Sequence, residues 1–225
     1  MKAAVIHEHG GPGSIGIEAD FPDPKPEADD VIIKIGAASL NYHDIFTRRG
    51  MPGIKVPMPC IMGLDFAGEI VELGANVSDW KIGQRVLVDP VDRVGGGGLM
   101  GEMWHGGLAE YCKVPTHHLV AIPDAVSYEK AACLPVAYGT AYRMMYTIGE
   151  VQKGDKVLIL GASGGVGTCA VLLAKARGCE VIACASSQSK LDRLAELGGQ
   201  ADGAVGEIAS RLVSDADIHI IFRQG

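Results

Sequence analysis

One stretch decides the fold of this chain: Gly161-Ala162-Ser163-Gly164-Gly165-Val166-Gly167. It follows an apolar strand predicted over residues 156–160 and opens a helix predicted over Gly165–Arg177. Glycines lack a Cβ, so the backbone can approach phosphate groups, and a helix N-terminus offers unbonded N–H groups at the positive end of its dipole. The spacing departs from strict G-x-G-x-x-G at Ala162, and glycines also serve plain strand-to-helix turns. Its flanking strand and helix favour a dinucleotide site, with contacts from Gly161, Ser163, Gly164, Gly165, Val166 and Gly167.

The residues after this stretch repeat the strand-helix pattern. A second strand is predicted over residues 180–185 and a second helix over 190–197, which implies a parallel sheet with helical crossovers. A weak third strand at Ala204-Val205, a short helix and a fourth strand over 217–222 finish the chain. The sequence therefore predicts an α/β Rossmann-type domain.

Cofactor preference is predicted from the end of the second strand. NAD-preferring sites carry an Asp or Glu there, whereas this chain reads Ala185-Ser186-Ser187-Gln188-Ser189-Lys190. Two hydroxyls and an ammonium can bind a 2′-phosphate that a carboxylate would repel. We therefore expect NADPH rather than NADH, held by Ser186, Ser187 and Lys190. The alternative is that the serines are turn and cap residues and the lysine is solvated, and both interpretations can hold together.

The front part of the chain reads as short strands separated by turns. The predicted strands are rich in β-branched residues, and such spacing is typical of a small barrel-like β domain. A short helix is predicted over Tyr42–Arg49, a glycine-dense loop over residues 94–107, and a helix from Ser127 to about Ile148. The strands are Ala3–Ile6, residues 31–37, residues 67–72, Arg85–Val88 and residues 108–114.

Composition excludes several classes of partner. The net charge is −7 and no basic stripe is present, which argues against nucleic acid. The charged start argues against a signal peptide, and the 18 uncharged residues 157–174 are interrupted by four glycines, which argues against a membrane span. The six cysteines form no CxxC pair, so we expect reduced thiols in a cytoplasmic protein.

Several segments occur in an order that resembles the medium-chain dehydrogenases/reductases, in particular their zinc-free, quinone oxidoreductase-like members. The resemblance implies a GroES-like β-barrel-type catalytic domain over residues 1–126, then a linking helix and Rossmann NAD(P)-binding domain over 127–225. With the glycine stretch, the segments are Ala37-Ala38-Ser39-Leu40-Asn41-Tyr42-His43-Asp44, Ile61-Met62-Gly63-Leu64-Asp65-Phe66-Ala67-Gly68-Glu69-Ile70-Val71, Gly83-Gln84-Arg85-Val86, Gly107-Leu108-Ala109-Glu110-Tyr111 and Leu134-Pro135-Val136-Ala137-Tyr138-Gly139-Thr140-Ala141.

The resemblance also implies that the chain is incomplete at its C-terminus. A Rossmann sheet has about six strands, whereas this chain reaches about four. A truncated gene product, a fragment, and half of a two-chain assembly all remain open. We expect the isolated chain to form a homodimer through its last strand, to aggregate, or to leave its final residues disordered.

The resemblance allows the zinc-ligand positions of the relatives to be compared with this sequence one at a time. Zinc-dependent relatives take catalytic ligands from positions that here hold Asn41, Leu64-Asp65 and Ala132, and their structural lobe corresponds to residues 91–106, which contain no cysteine. Zinc requires ligands such as thiolate and imidazole. The spacing of the other candidate ligands matches no known pattern, so we expect no metal; those candidates are His43, His105, Cys112, His117 and His118.

Without a Lewis acid, hydride transfer to an activated C=C is easier than oxidation of a simple alcohol. The resemblance accordingly implies reduction of a quinone, an enone or an enoyl thioester, with Asn41 and Tyr42 as hydrogen-bond donors and His43 as a proton relay. The alternatives are structural: Asn41 ties down a loop, Tyr42 lies in the core, and His43 is a structural histidine. Two other functions also stay open, a zinc-free alcohol or sugar-alcohol dehydrogenase with His43 as base, and a nucleotide-binding protein without turnover.

Overall fold

The computed structural model describes residues 1–197 and the backbone of 200–201 and 218–221. Contacts divide the chain into two compact units, Met1–Val136 and Ala137–Gly225. In the described part of the chain, no helix combines the length and the apolar character that crossing a membrane would require.

The first unit is built from two antiparallel sheets. The larger has five strands in the order β7-β3-β5-β6-β8, and the smaller has three in the order β2-β1-β4. Its helices are α1 (Tyr42–Arg49) and α2 (Tyr128–Ala132), and its strands are β1 (Ala3–Ile6), β2 (Ile15–Glu18), β3 (Asp30–Ser39), β4 (Cys60–Ile61), β5 (Asp65–Leu73), β6 (Arg85–Val88), β7 (Tyr111–Pro115) and β8 (Leu119–Ala121).

Apolar residues of the larger sheet form the main core of this unit. Val31, Ile33, Phe66 and Ile70 from β3 and β5 are fully buried against Val86 and its neighbours. Burial of apolar area at about 25 cal/mol per Å² drives this packing. The predicted strands are therefore confirmed in position, although residues 108–110 lie outside β7. The sequence did not predict β2, β4 and β8, which are only two to four residues long.

The prediction of one continuous helix from Ser127 to about Ile148 is wrong. The structure breaks it into α2, then α3 (Pro135–Tyr142), then a π-helical turn over Arg143–Ile148. Pro135 has no N–H to continue the preceding helix and restricts the residue before it. The predicted N-cap is confirmed, because Ser127 Oγ accepts a hydrogen bond from Lys130 N over 3.4 Å.

The second unit contains a parallel sheet in the order β11-β10-β9-β12. Numbered within this unit the order is 3-2-1-4, as in a Rossmann sheet. Its core includes Val157, Ile159, Ala170 and Val181. The elements are β9 (Lys156–Ile159), α4 (Gly165–Arg177), β10 (Glu180–Ala183), α5 (Gln188–Glu196), β11 (Gln200–Ala201) and β12 (Ile218–Ile221).

The predicted elements of this unit agree with the structure to within two residues where they can be compared. Helix α4 has the predicted bounds, β10 ends two residues early, and α5 begins two residues early. The fourth strand is present as β12, beside β9. The predicted third strand at Ala204-Val205 and the short helix after it lie outside the described residues.

Candidate functional site

The glycine stretch forms the turn between β9 and α4. Gly161 has φ +66°, a left-handed conformation that favours glycine. Gly164 N donates to Gly161 O over 3.0 Å, and the first helical bond runs from Thr168 N to Gly164 O over 2.8 Å. The amides of Gly165, Val166 and Gly167 therefore come before the hydrogen-bonded part of the helix, the arrangement in which helix N-termini bind phosphate.

The surroundings of two glycines in this turn differ. A Cβ on Gly167 would lie 2.5 Å from Gly161 O and 2.7 Å from Ala162 Cα, so close packing requires glycine there. A Cβ on Gly165 would meet nothing within 4 Å. Ala162, where the strict pattern fails, is fully buried, and its N–H donates to Cys184 O over 2.9 Å. Ala162 thus anchors the turn to the end of β10, while Gly165 leaves space for a ligand.

The three residues predicted to select NADPH lie together after β10. Ser186, Ser187 and Lys190 are all exposed, and Lys190 Nζ donates to Ser186 Oγ over 3.0 Å. Ser187 is the N-cap residue of α5, and its Oγ lies 3.2 Å from Ser189 Oγ. Ser187 thus occupies the N-cap position of α5, as one interpretation expected, but its side chain makes no capping hydrogen bond. An ammonium and a hydroxyl are also presented to solvent side by side, as a phosphate contact requires.

In the first unit, Asn41 is tied to a buried carboxylate. Asn41 Nδ2 donates to Asp65 Oδ2 over 2.9 Å, and Val136 N donates to Asp65 Oδ1 over 3.1 Å. Asp65 is only 1% exposed, and burial raises its pKa to about 6 despite these hydrogen bonds. Asn41 therefore does tie down its loop, as one alternative proposed. Its amide has two N–H groups, and this bond uses one of them.

Asn41 also starts helix α1. Its backbone N–H donates to Asp44 Oδ2 over 2.7 Å, and Gly63 N donates to Asp44 Oδ1 over 3.2 Å. Burial raises the pKa of Asp44, while these backbone hydrogen bonds oppose the rise. The start of α1 is thus fixed against the residues before β5, which sets where Tyr42 and His43 project.

Tyr42 and His43 occupy the first turn of α1 in different environments. The Tyr42 side chain is 56% exposed and packs edge-on against Phe46, with ring centroids 5.1 Å apart. The alternative that Tyr42 is a core residue is therefore wrong. His43 Nε2 lies 2.6 Å from Glu102 Oε2, and the Glu102 side chain is only 7% exposed.

Sequence reasoning missed Glu102 and did not assign Asp65 a positioning role. Glu102 lies in the loop predicted over residues 94–107, which has no periodicity from which to infer burial. The one feature of the sequence that could have drawn attention to Glu102 is that it is the single carboxylate in a glycine- and methionine-rich loop. Glu102 also lines a cavity of about 830 Å³, together with Cys60, Trp104 and His105.

The positions that hold catalytic zinc in zinc-dependent relatives lack a zinc donor set here. Leu64 and Ala132 are each 1% exposed and offer no ligand atom. Asn41 directs its amide N–H at Asp65, which leaves one carboxylate and, next to Ala132, the exposed Cys133. Catalytic zinc requires three protein ligands, so these residues do not fit it.

Comparisons with known proteins agree with the fold described above. Residues 27–124 match the family of alcohol dehydrogenase GroES-like domains. The solved structure of a cobalt- and zinc-bound thermostable alcohol dehydrogenase from Pyrobaculum aerophilum superposes with a TM-score of 0.84 at 31% identity, covering 94% of this chain and 68% of that one. The chain belongs to the medium-chain dehydrogenase/reductase family.

Within the medium-chain dehydrogenases/reductases, the similar curated proteins include reductases. Quinone oxidoreductase from Pongo abelii is 31% identical over 188 residues, covering 84% of this chain and 54% of the relative. The chloroplastic NADPH-dependent alkenal/one oxidoreductase from Arabidopsis thaliana is 34% identical over 200 residues, covering 88% of this chain and 50% of the relative. The chain thus spans about half the length of the curated relatives it matches. It is a quinone oxidoreductase-like member of the family with a GroES-like domain and a Rossmann domain.

Proposed function

We propose that this protein is an NADPH-dependent oxidoreductase that reduces an activated C=C bond or a quinone without zinc. The observation that carries the proposal is the start of α1, where two hydrogen-bonding side chains are held by buried carboxylates. Asp65 holds Asn41, and Glu102 holds His43. Polar groups fixed in this way are suited to stabilise a developing negative charge.

The cofactor-binding residues are proposed from the second unit. The amides at the start of α4 and the space beside Gly165 suit a pyrophosphate, and Lys190 with Ser186 and Ser187 suits a 2′-phosphate. When bound, the nicotinamide supplies the hydride. The absence of a carboxylate between Ala185 and Lys190 supports NADPH over NADH.

The roles of the first-unit residues follow from their chemistry. Reduction adds a hydride at the β carbon and a proton at the α carbon or the oxygen of the conjugated system. The second N–H of Asn41 and the hydroxyl of Tyr42 can donate to the oxygen as negative charge develops on it. His43 can supply the proton, because donation from Nε2 to Glu102 leaves Nδ1 as the atom that exchanges protons. Glu102 is accordingly a positioning residue.

The names of the relatives support this substrate class. Relatives at 31% and 34% identity are called a quinone oxidoreductase and an NADPH-dependent alkenal/one oxidoreductase. We propose a quinone, an enone or an enoyl thioester as the substrate of this protein.

A second candidate function is oxidation of an alcohol or sugar alcohol without zinc. The observation that favours it is the His43–Glu102 pair, since a histidine oriented by a buried carboxylate is also the arrangement of a general base. A third candidate is nucleotide binding without turnover.

Oxidation of NADPH, followed at the nicotinamide absorbance, separates the three candidates. Parallel reactions contain a quinone, an enone or an aldehyde as acceptor. We expect turnover with the quinone or the enone and none with the aldehyde. Turnover with the aldehyde alone would support the alcohol dehydrogenase, and NADPH binding without oxidation in any reaction would support the third candidate.

A further inference from the structure

Asp92, His117 and His118 bring three metal-ligating side chains together away from the site described above. Asp92 follows β6 on the chain, and the two histidines form the short helical turn Thr116–His118 just before β8. One ligand atom from each residue lies within 4.8 Å of the others. His117 Nε2 is 3.1 Å from Asp92 Oδ1, and the His117 and His118 rings are tilted by 39° to each other with centroids 4.4 Å apart.

His118 is oriented as a metal-ligating histidine usually is. The residue is 2% exposed, and its Nδ1 lies 2.6 Å from the backbone oxygen of Asp89. A carbonyl oxygen only accepts, so Nδ1 carries the hydrogen and Nε2 keeps a free lone pair. Histidines that bind metals typically donate their other ring N–H to such a carbonyl, which fixes the tautomer.

Asp92 is a buried carboxylate held in one orientation. It is 5% exposed, and its Oδ1 accepts from Gly95 N over 2.7 Å and from Val94 N over 2.9 Å. These backbone hydrogen bonds, and then the contact with His117, lower the pKa of the Asp92 carboxyl. All three described contacts, from Val94 N, Gly95 N and His117 Nε2, go to Oδ1, so the second oxygen keeps acceptor capacity for a cation.

We propose that Asp92, His117 and His118 bind a divalent first-row transition ion, zinc in the first place, with water as the fourth ligand. Two imidazoles and one carboxylate match the preference of zinc. An ion about 2.1 Å from each ligand holds the ligand atoms about 3.4 Å apart, so small side-chain rotations close the present spread of up to 4.8 Å. His117 is 37% exposed, which gives the ion a route from solvent.

This site differs in its donor set from the zinc positions compared above. None of its residues occupies the catalytic positions 41, 64–65 or 132; Asp92 lies in the segment 91–106 that corresponds to the relatives' structural lobe, whereas His117 and His118 lie outside it. The bound ion would tie the loop after β6 to the segment before β8, a structural role. The expectation of a metal-free chain rested on the residues at the relatives' zinc positions and on the spacing of the other candidate ligands along the sequence. Neither shows that these three side chains lie close together in the structure.

Metal titration of the full chain tests the proposal. The chain is stripped with a chelator and titrated with zinc sulfate or cobalt chloride; bound metal is measured by elemental analysis, and bound Co²⁺ by its visible absorption. We expect one ion per chain and a higher melting temperature with zinc. Failure to reach one ion per chain in the presence of excess zinc would overturn the proposal.

Matched variants identify the ligands. His117→Ala removes a partly exposed ligand and should weaken zinc binding by more than about 100-fold, beyond the effect of losing an outer-shell partner. Asp92→Asn should weaken it as well. The control is His7→Ala. Like His117, His7 contacts a carboxylate through Nε2, that of Glu18 at 2.6 Å, but it belongs to no such three-ligand group in the described residues. Zinc binding retained in His117→Ala, or lost equally in His7→Ala, would contradict the assignment.

Discussion

Asn41 and Asp65 are joined by a 2.9 Å hydrogen bond from the amide Nδ2 to the carboxylate Oδ2. The same carboxylate accepts from the backbone of Val136 at the start of α3. One buried group therefore holds both the residue proposed to contact substrate and the start of a helix. Because Asp65 is 1% exposed, its ionisation should couple the stability of the first unit to pH.

Ionisation of Asp65 should make the folded protein less stable as the pH rises from about 4 to about 6. Its pKa is raised from 3.8 to about 6 by burial, so in this window the unfolded chain releases a proton that the folded chain retains. The free energy of unfolding should fall by about 2–3 kcal/mol over the window. Urea unfolding at several pH values, compared between the wild type and Asp65→Asn, measures this contribution. The exposed Asp79→Asn is the control, and parallel pH profiles of wild type and Asp65→Asn would contradict the prediction.

Glu102→Gln should lower kcat by about tenfold or more and leave KM nearly unchanged, because general acid catalysis by an oriented histidine contributes about 10²–10⁴. The variant keeps an oxygen acceptor for His43 but removes the negative charge beside it. The pH profile of kcat should therefore shift as well. Glu110→Gln, which alters a glutamate that accepts from Lys2 N, is the control. An unchanged pH profile would assign Glu102 a structural role only.

Two single-glycine substitutions should separate nucleotide binding from packing. Gly167→Ala should destabilise the protein by about 1–3 kcal/mol, because the new Cβ would lie 2.5 Å from Gly161 O. Gly165→Ala has free space around its Cβ and should fold normally, yet it should weaken NADPH binding if phosphates approach this turn. Thermal unfolding and calorimetric titration measure the two effects. Full NADPH affinity in Gly165→Ala would place the phosphates elsewhere.

Lys190→Glu should weaken NADPH binding more than NADH binding. The substitution replaces an ammonium that bonds Ser186 Oγ by a carboxylate, which would repel a 2′-phosphate. For an exposed site we expect a difference of roughly tenfold, about 1.4 kcal/mol. Fluorescence titration with both cofactors measures it, and Arg193→Glu, one turn further along α5, is the matched control. Equal losses for NADPH and NADH would make Lys190 an ordinary surface residue.

Removal of metal ions should leave NADPH oxidation unchanged. The residues at the family's catalytic zinc positions provide too few ligands for zinc, so we expect turnover that does not depend on a Lewis acid there. The measurement compares initial rates at 25 °C before and after treatment with a chelator. A rate that falls on chelation and returns with zinc, in the wild type and in His117→Ala alike, would contradict the proposed zinc-free chemistry.

The sequence predicted the parts of the fold that depend on hydrophobic periodicity and turn residues within a short segment. Apolar residues with period two or 3.6, and the glycine turn between them, placed α4 with its final bounds and β9 and β10 within two residues. The errors have local causes too. Pro135 interrupts the predicted long helix, and the shortest strands carry too few residues to show a period.

The sequence by itself determined most of the longer elements, the parallel topology of the second unit and the glycine turn between β9 and α4, because each depends on neighbours within one element or one connection. Only the tertiary structure decided which distant groups meet. In the β3–β5 ladder Ser39 pairs with Asp65, which brings that carboxylate beside Asn41 two residues further on. His43 and Glu102 are 59 residues apart, and Asp92 and His117 are 25 apart. Strand register and loop path set such contacts, and no periodicity along the chain encodes them.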